Sequence, residues 1–161
     1  MYALSLSPVE AIAYLGRFFS ILPWAEPLPR DLRCPDWIAI HSQGLAEEPA
    51  ARSHQLQVLA AFGFDSDTFP AGAIQGQAHL LAVHTYRQPV QFARDRPRHG
   101  CPLGDRRFPV RALIFGKAHF LTEPLYDILP TALNPWWPLP THLQAALEPS
   151  PRSRSFGSPW P

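Results

Sequence analysis

The sequence predicts an α+β domain in which five to six short strands form a small β-barrel with two flanking helices. Three observations carry that reading. Two stretches, 73–83 and 110–120, alternate small or apolar residues with others at the two-residue period of a strand. Only two stretches combine a helix start signal with an apolar stripe. Twenty prolines, clustered at 23–35, 89–109, 124–140 and 149–161, divide the 161 residues into short elements and exclude a helical bundle.

In chain order, "YALSL" at 2–6 is the first strand candidate. Ser7, Pro8 and Glu10 then combine an N-cap, a proline at the first helical position and a capping-box partner, so a helix starts at Pro8 and Gly16 ends it. "RFFSIL" at 17–22 reads as a second strand and "WIAIHSQ" at 37–43 as a third, with a proline-broken loop between them. Glu47, Glu48 and Pro49 form the first turn of a second helix, with Leu56, Leu59, Ala60 and Phe62 as its stripe and Gly63 as its end.

The fourth strand places Ile74, Gly76, Ala78, Leu80 and Ala82 inward and gives Gln75, Gln77 and His79 a polar outer face. Gly76 and Ala78 are small, as where another backbone comes close. The segment 87–108, rich in arginine and proline, reads as a loop insertion. Val110, Ala112, Ile114, Gly116, Ala118 and Phe120 form the inner face of a fifth strand, so that Ile74, Leu80, Ile114 and Phe120 should share one core. A short edge strand is expected within 129–140, and at most a brief helix in "THLQAALE". Residues 1–148 read as one domain; 149–161 lack a periodic apolar face and read as a disordered tail.

A chain of this length can bury roughly two-thirds of its unfolded surface around a single core. Cys34 and Cys101 form no C-x-x-C pair and read as free thiols of a reducing compartment. "MYALSLSPVE" lacks the basic start of a signal peptide, and no apolar run reaches the ~20 residues of a membrane span, so a cytoplasmic protein is expected.

Net charge is only +1, but its distribution is uneven. Between Arg87 and Lys117 eight basic residues face Asp95 and Asp105, a local balance of +6 that leaves −5 for the remainder. Thirteen of the fourteen basic residues are arginine, whose planar fork suits phosphate, base edges and carboxylates alike.

The order "ALSLSPVEAIAYLG", "WIAIHSQ", "FPAGAIQGQAHLLAV", "ALIFGKAHFLTEPLYDILP" resembles the ASCH domain family of the PUA-like superfamily. Its members carry stretches like L-S-L-R-x-P-W-A, L-L-I-H-A-x-K and L-P-x-G-A-I-I-G-x-A-E-L in that order, and the likeness spans Ala3 to Pro138. The resemblance implies a small barrel with a cleft for RNA or modified bases. One branch hydrolyses an acetylated cytidine with a lysine, a threonine and a glutamate. Those positions fall here on Phe18, Ile21 and His79. Phenylalanine and isoleucine can neither attack a carbonyl nor move a proton, which removes that chemistry. Ser7 and Val9 also depart from the family's arginine and tryptophan.

The resemblance makes His41 and Ser42, at the end of the third strand, candidates for contact with a base or phosphate. A histidine capping a strand end is the plainer reading. Arg17 and His79 complete the cleft candidates, and Arg94, Arg96, Arg98, Arg106 and Arg107 are candidate phosphate contacts; loop arginines paired with neighbouring acids are the alternative. His99 and Cys101 alone are too few for a zinc site, and Trp136, Trp137 and Trp160 read as loop packing before base stacking. No phosphate-loop, nucleophile-elbow or zincin motif occurs. The expected function is therefore RNA or nucleotide binding, non-catalytic and without metal or cofactor. A hydrolase of RNA or modified nucleosides with shifted groups, and a protein-interaction module using the arginine loop, are the alternatives.

Overall fold

The computed structural model describes residues 1–65, 69–104, 106–126, 128 and 134–147. The elements are β1 (Tyr2–Leu6), α1 (Pro8–Leu15), β2 (Ile21–Trp24), β3 (Asp36–Ser42), α2 (Pro49–Ala61), β4 (Ile74–Tyr86), α3 (Pro89–Arg94), α4 (Arg96–His99), β5 (Val110–Leu125), β6 (Trp136–Pro138) and α5 (Thr141–Ala146). The strands form one mixed sheet in the order β2-β5-β4-β3-β1-β6. Among the described strands only β1 and β3 pair in parallel. Among the described residues the sheet is not closed into a barrel; β2 and β6 are its two edges. The expected tail at 149–161, Asp105, Trp160 and the residues at 129–133 lie outside the described residues.

The local signals act as the sequence implies in α1. Ser7 accepts from the Glu10 backbone, Glu10 reaches back to the Ser7 backbone, and Gly16 caps the end. In α2 the carboxylate of Glu48 accepts from Ala50 and Ala51, but only Leu59 of the stripe is fully buried. β2 begins at Ile21 rather than Arg17, because Arg17 takes a left-handed backbone at φ 62 that breaks any strand there.

The inward and outward faces of the long strands differ from the alternation rule. β3 pairs with β4 only as far as Asp36 opposite Leu80, and the β4–β5 register shifts at Ile74/Gly76, Ala78/Leu80 and Leu80/Ala82. Each bulge re-aims the side chains beyond it. Ala82 is therefore exposed, and Leu113 and Phe115 of β5, not Ile114, enter the main core with Leu80, Tyr14 and Leu15. Ile74 joins a second cluster with Ala39 and Trp137, and Ile114 borders a third around Tyr86 and Phe92. Phe120 is half-buried at the edge of the main core. The expected single core is thus divided. Gln75 and Gln77, expected outside, are 2% and 4% exposed: Gln75 donates to the Pro70 carbonyl at 3.1 Å, and Gln77 pairs across the sheet with Ala39, which clusters with Trp137, Leu139 and Leu147.

The largest departure concerns 87–108, expected to be a loop. It contains α3 and α4. Their prolines, Pro89 and Pro97, lie in the first positions of each helix, where a missing N–H costs no hydrogen bond. Phe92 and His99 supply the inner face at 0% and 2% exposure, with rings stacked 4.1 Å apart. Helices this short show no apolar period to a sequence scan. Including α5, the described residues hold five helices rather than the two expected.

Candidate nucleic-acid interface

β4 and β5 run together from the Ile74–Leu125 pair at one end to the Tyr86–Val110 pair at the other. The sequence-predicted site residues are distributed along this length. His41 and Ser42 lie at the first end, where His41 pairs with Ile74. The helical arginines lie at the second. The two groups do not meet in one cleft.

His41 and Ser42 are 3% and 0% exposed. His41 Nδ1 is 3.0 Å from Ser5 Oγ, and its ring meets Trp137 edge-on. Burial holds the His41 imidazole below the ordinary histidine range, partly offset by the Gly72 backbone. His79 is half-buried and stacks on Trp37, its partner across β3, with 5.1 Å between ring centroids. His119 contacts the same indole edge-on, and burial lowers its pKa. Arg17 is exposed in the turn after α1. The positions implied for the lysine and threonine of the hydrolytic branch are packed: Phe18 lies against Phe62, and Ile21 is fully buried.

Arg94, Arg96 and Arg98 are exposed on α3 and α4. The platform beneath them is firm. Phe92 fills the third cluster with Tyr86, Ile21 and Ala112, and the Ser20 N–H donates to the Arg98 carbonyl at 2.9 Å. His99 is fixed by backbone on both sides: the Cys101 N–H donates to its Nδ1 at 3.0 Å, which leaves the proton on Nε2, 2.9 Å from the Phe92 carbonyl. Both nitrogens are used, which explains the His99–Cys101 pair without a metal. Among the described residues no cluster of three metal-ligating groups exists.

Asp95 is the described acid nearest these guanidinium groups in sequence. It accepts a hydrogen bond of 2.7 Å from the Tyr86 hydroxyl. Burial, followed by that carboxylate, pushes Tyr86 up to about 12. Asp95 therefore serves the platform, and among the described residues Arg94, Arg96, Arg98, Arg106 and Arg107 form no ion pair.

Arg106 and Arg107 border a cavity of ≈ 390 Å³, between the end of β2 and the start of β5, with Pro23, Trp24, Ala25, Pro109, Val110 and Arg111 as the other walls. Arg106 lies over the Phe92 ring, 5.5 Å from its centroid, which ties the cavity to α3. Arg111 pairs with Trp24 across the two strands. Sequence reasoning missed Trp24, hidden in a proline-rich run, and counted Arg111 only as charge. Their juxtaposition depends on the β2–β5 register.

No protein-family model matches the sequence, and no curated protein matches it. Among solved structures, the ASCH protein of Zymomonas mobilis superposes with a TM-score of 0.59 at 14% identity, covering 91% of this chain and 92% of that one. A tyrosine-to-phenylalanine variant of that protein gives a TM-score of 0.56 at 13% identity, covering 91% and 94%. A serine-to-alanine variant gives 0.58 at 14%, covering 91% and 92%. The chain has an ASCH-like fold. This confirms the architecture that the four sequence stretches imply, with the sheet open between β2 and β6. At such low identity the likeness is one of fold, and function must be argued from the ASCH-like domain's own residues.

Proposed function

We propose that this ASCH-like chain is a non-catalytic RNA- or nucleotide-binding domain, with phosphates held by the face that α3, α4 and residues 106–111 form. The observation that supports this reading is a set of exposed guanidinium groups without an ion pair among the described residues: Arg94, Arg96 and Arg98 on short helices anchored by Phe92 and His99, with Arg98 Nε 3.4 Å from Ser20 Oγ, and Arg106 and Arg107 in the segment that follows. Charge held on a rigid support loses little entropy on docking, and guanidinium forks suit phosphate oxygens. The strands themselves carry almost no charge, so attraction for a polyanion has to come from this segment. His41 and Ser42 serve the interior of the sheet in this reading. His79, with Trp37, and Arg17 are secondary contacts. The unpaired cysteines, with Cys34 exposed, fit a cytoplasmic setting.

Binding of single-stranded RNA, measured by fluorescence anisotropy across salt concentrations, tests the proposal. Affinity should fall with salt by roughly 0.7 log units per log unit for each phosphate contacted. Changing Arg94, Arg96 and Arg98 together to glutamine should weaken all sequences about equally and flatten that slope, because phosphate contacts position without specifying. An unchanged affinity and slope would overturn the assignment.

A further inference from the structure

The cavity beside α3 has the features of a pocket for a single nucleotide. Its volume, ≈ 390 Å³, lies near the small end of ligand pockets, which run from roughly 300 to 1,000 Å³. That size excludes a duplex and admits one base with its sugar and phosphate. Its walls have two characters. Arg106, Arg107 and Arg111 supply three cations, and among the described residues no acid lines the cavity. Trp24, Pro23 and Pro109 supply flat or apolar surface. A ligand matching both needs an anionic end and a flat, weakly polar body.

Three of the walls, Trp24, Arg106 and Arg111, also have partners before any ligand arrives. Trp24 is wedged edge-on against the buried Trp136, 5.9 Å between centroids, so its ring plane is set by the core. Arg106 rests on Phe92, and Arg111 reaches the Glu26 carbonyl at 3.5 Å, a long contact that a phosphate would readily replace. Arg107 is exposed and makes no hydrogen bond or ion pair among the described residues. Fixed aromatic and cationic groups reduce the ordering cost of binding.

We infer that this pocket binds one nucleotide through its phosphate, with the base lying against Trp24 and the phosphate among Arg106, Arg107 and Arg111. The inference deepens the RNA- or nucleotide-binding reading and names its substrate class: a nucleoside monophosphate, free or as the 5′-phosphorylated end of a single strand. From the pocket a longer strand would continue over α3 and α4, toward Arg94, Arg96 and Arg98.

The experiment is calorimetric titration of the full chain with adenosine 5′-monophosphate, adenosine, inorganic phosphate, and a six-nucleotide RNA with or without a 5′-phosphate. The monophosphate should bind more tightly than phosphate or adenosine, and Arg107→Gln and Arg111→Gln should each weaken it about tenfold, as loss of a charge-assisted contact does. Trp24→Leu should bring the monophosphate down to the affinity of inorganic phosphate; Trp24→Phe, which keeps a ring on Trp136, should not. Arg94→Gln/Arg96→Gln/Arg98→Gln should weaken the RNA and leave the monophosphate unchanged. A terminal-strand pocket is supported if the 5′-phosphate improves RNA affinity in wild type but not in Arg107→Gln. A free-nucleotide pocket is supported if the monophosphate binds and the 5′-phosphate has no effect. The pocket inference fails if neither binds there, if phosphate alone binds as well as the monophosphate, or if Arg107→Gln and Arg111→Gln change nothing. RNA binding that survives those two changes would keep the broader reading and remove only the pocket.

Discussion

Ser5 Oγ lies 3.0 Å from His41 Nδ1, and on its other side it accepts the indole N–H of Trp137 at 3.0 Å. All three side chains are at most 6% exposed. Indole can only donate, so Ser5 Oγ accepts from Trp137, while the direction of its hydrogen bond with His41 Nδ1 follows the imidazole tautomer. This triad connects β1, β3 and β6 behind the sheet. Ser5→Ala would strand two buried polar groups and should lower unfolding free energy by about 1–3 kcal/mol, read from urea denaturation.

Stability should fall as the solution is acidified. Burial lowers the pKa of His41 and His119 in the folded state, so below the ordinary value near 6.5 the unfolded chain takes up protons that the folded chain refuses. Their stabilising contribution is complete above that value and is lost as pH drops from it towards the depressed folded values. Urea midpoints should be lower at pH 5.5 than at pH 7.5, and His119→Gln, at a half-buried site, should narrow the difference. An equal loss in wild type and variant would show that His119 does not contribute.

Gly76→Ala should be poorly tolerated. A Cβ there would run into the His119 carbonyl oxygen on β5 and lie 2.6 Å from Leu15 Cδ2 on α1. Backbone on one side and a packed helix on the other cannot both yield. The expected cost is about 1–3 kcal/mol, visible as a lower thermal midpoint.

Core truncations should follow the bulged register and not simple alternation. Phe115→Ala, at 3% exposure, should cost about 3–5 kcal/mol. Ile114→Ala and Phe120→Ala, both half-buried, should cost less. Chemical denaturation of the three variants would reverse the assignment if Ile114 proved the most damaging.

The purified chain should not release acetate from N4-acetylcytidine. Phe18 and Ile21 have no group to attack or to carry a proton, and both are packed against neighbours. Turnover that disappears in His79→Ala would contradict this.

The sequence by itself determined the elements whose causes are local. The Ser7–Glu10 capping box starts α1 whatever lies nearby, and the order of four short stretches identified an ASCH-like architecture that structural superposition bears out. Gly76 was legible as a close approach, though the His119 carbonyl that it meets was not. Tertiary structure decided everything that depends on pairing across the chain. The bulges between β4 and β5 moved Leu113 and Phe115 inward and Ile114 aside, because register is a property of two strands and no single strand encodes it. Gln75 and Gln77, polar positions of an alternating strand, are buried. α3 and α4 escaped detection because helices of one or two turns are stabilised by the cluster that Phe92 and His99 complete, and not by any periodic stripe of their own. The pocket is the furthest from the sequence: Trp24 and Arg111 stand 87 positions apart and meet only because β2 pairs with β5 in that register.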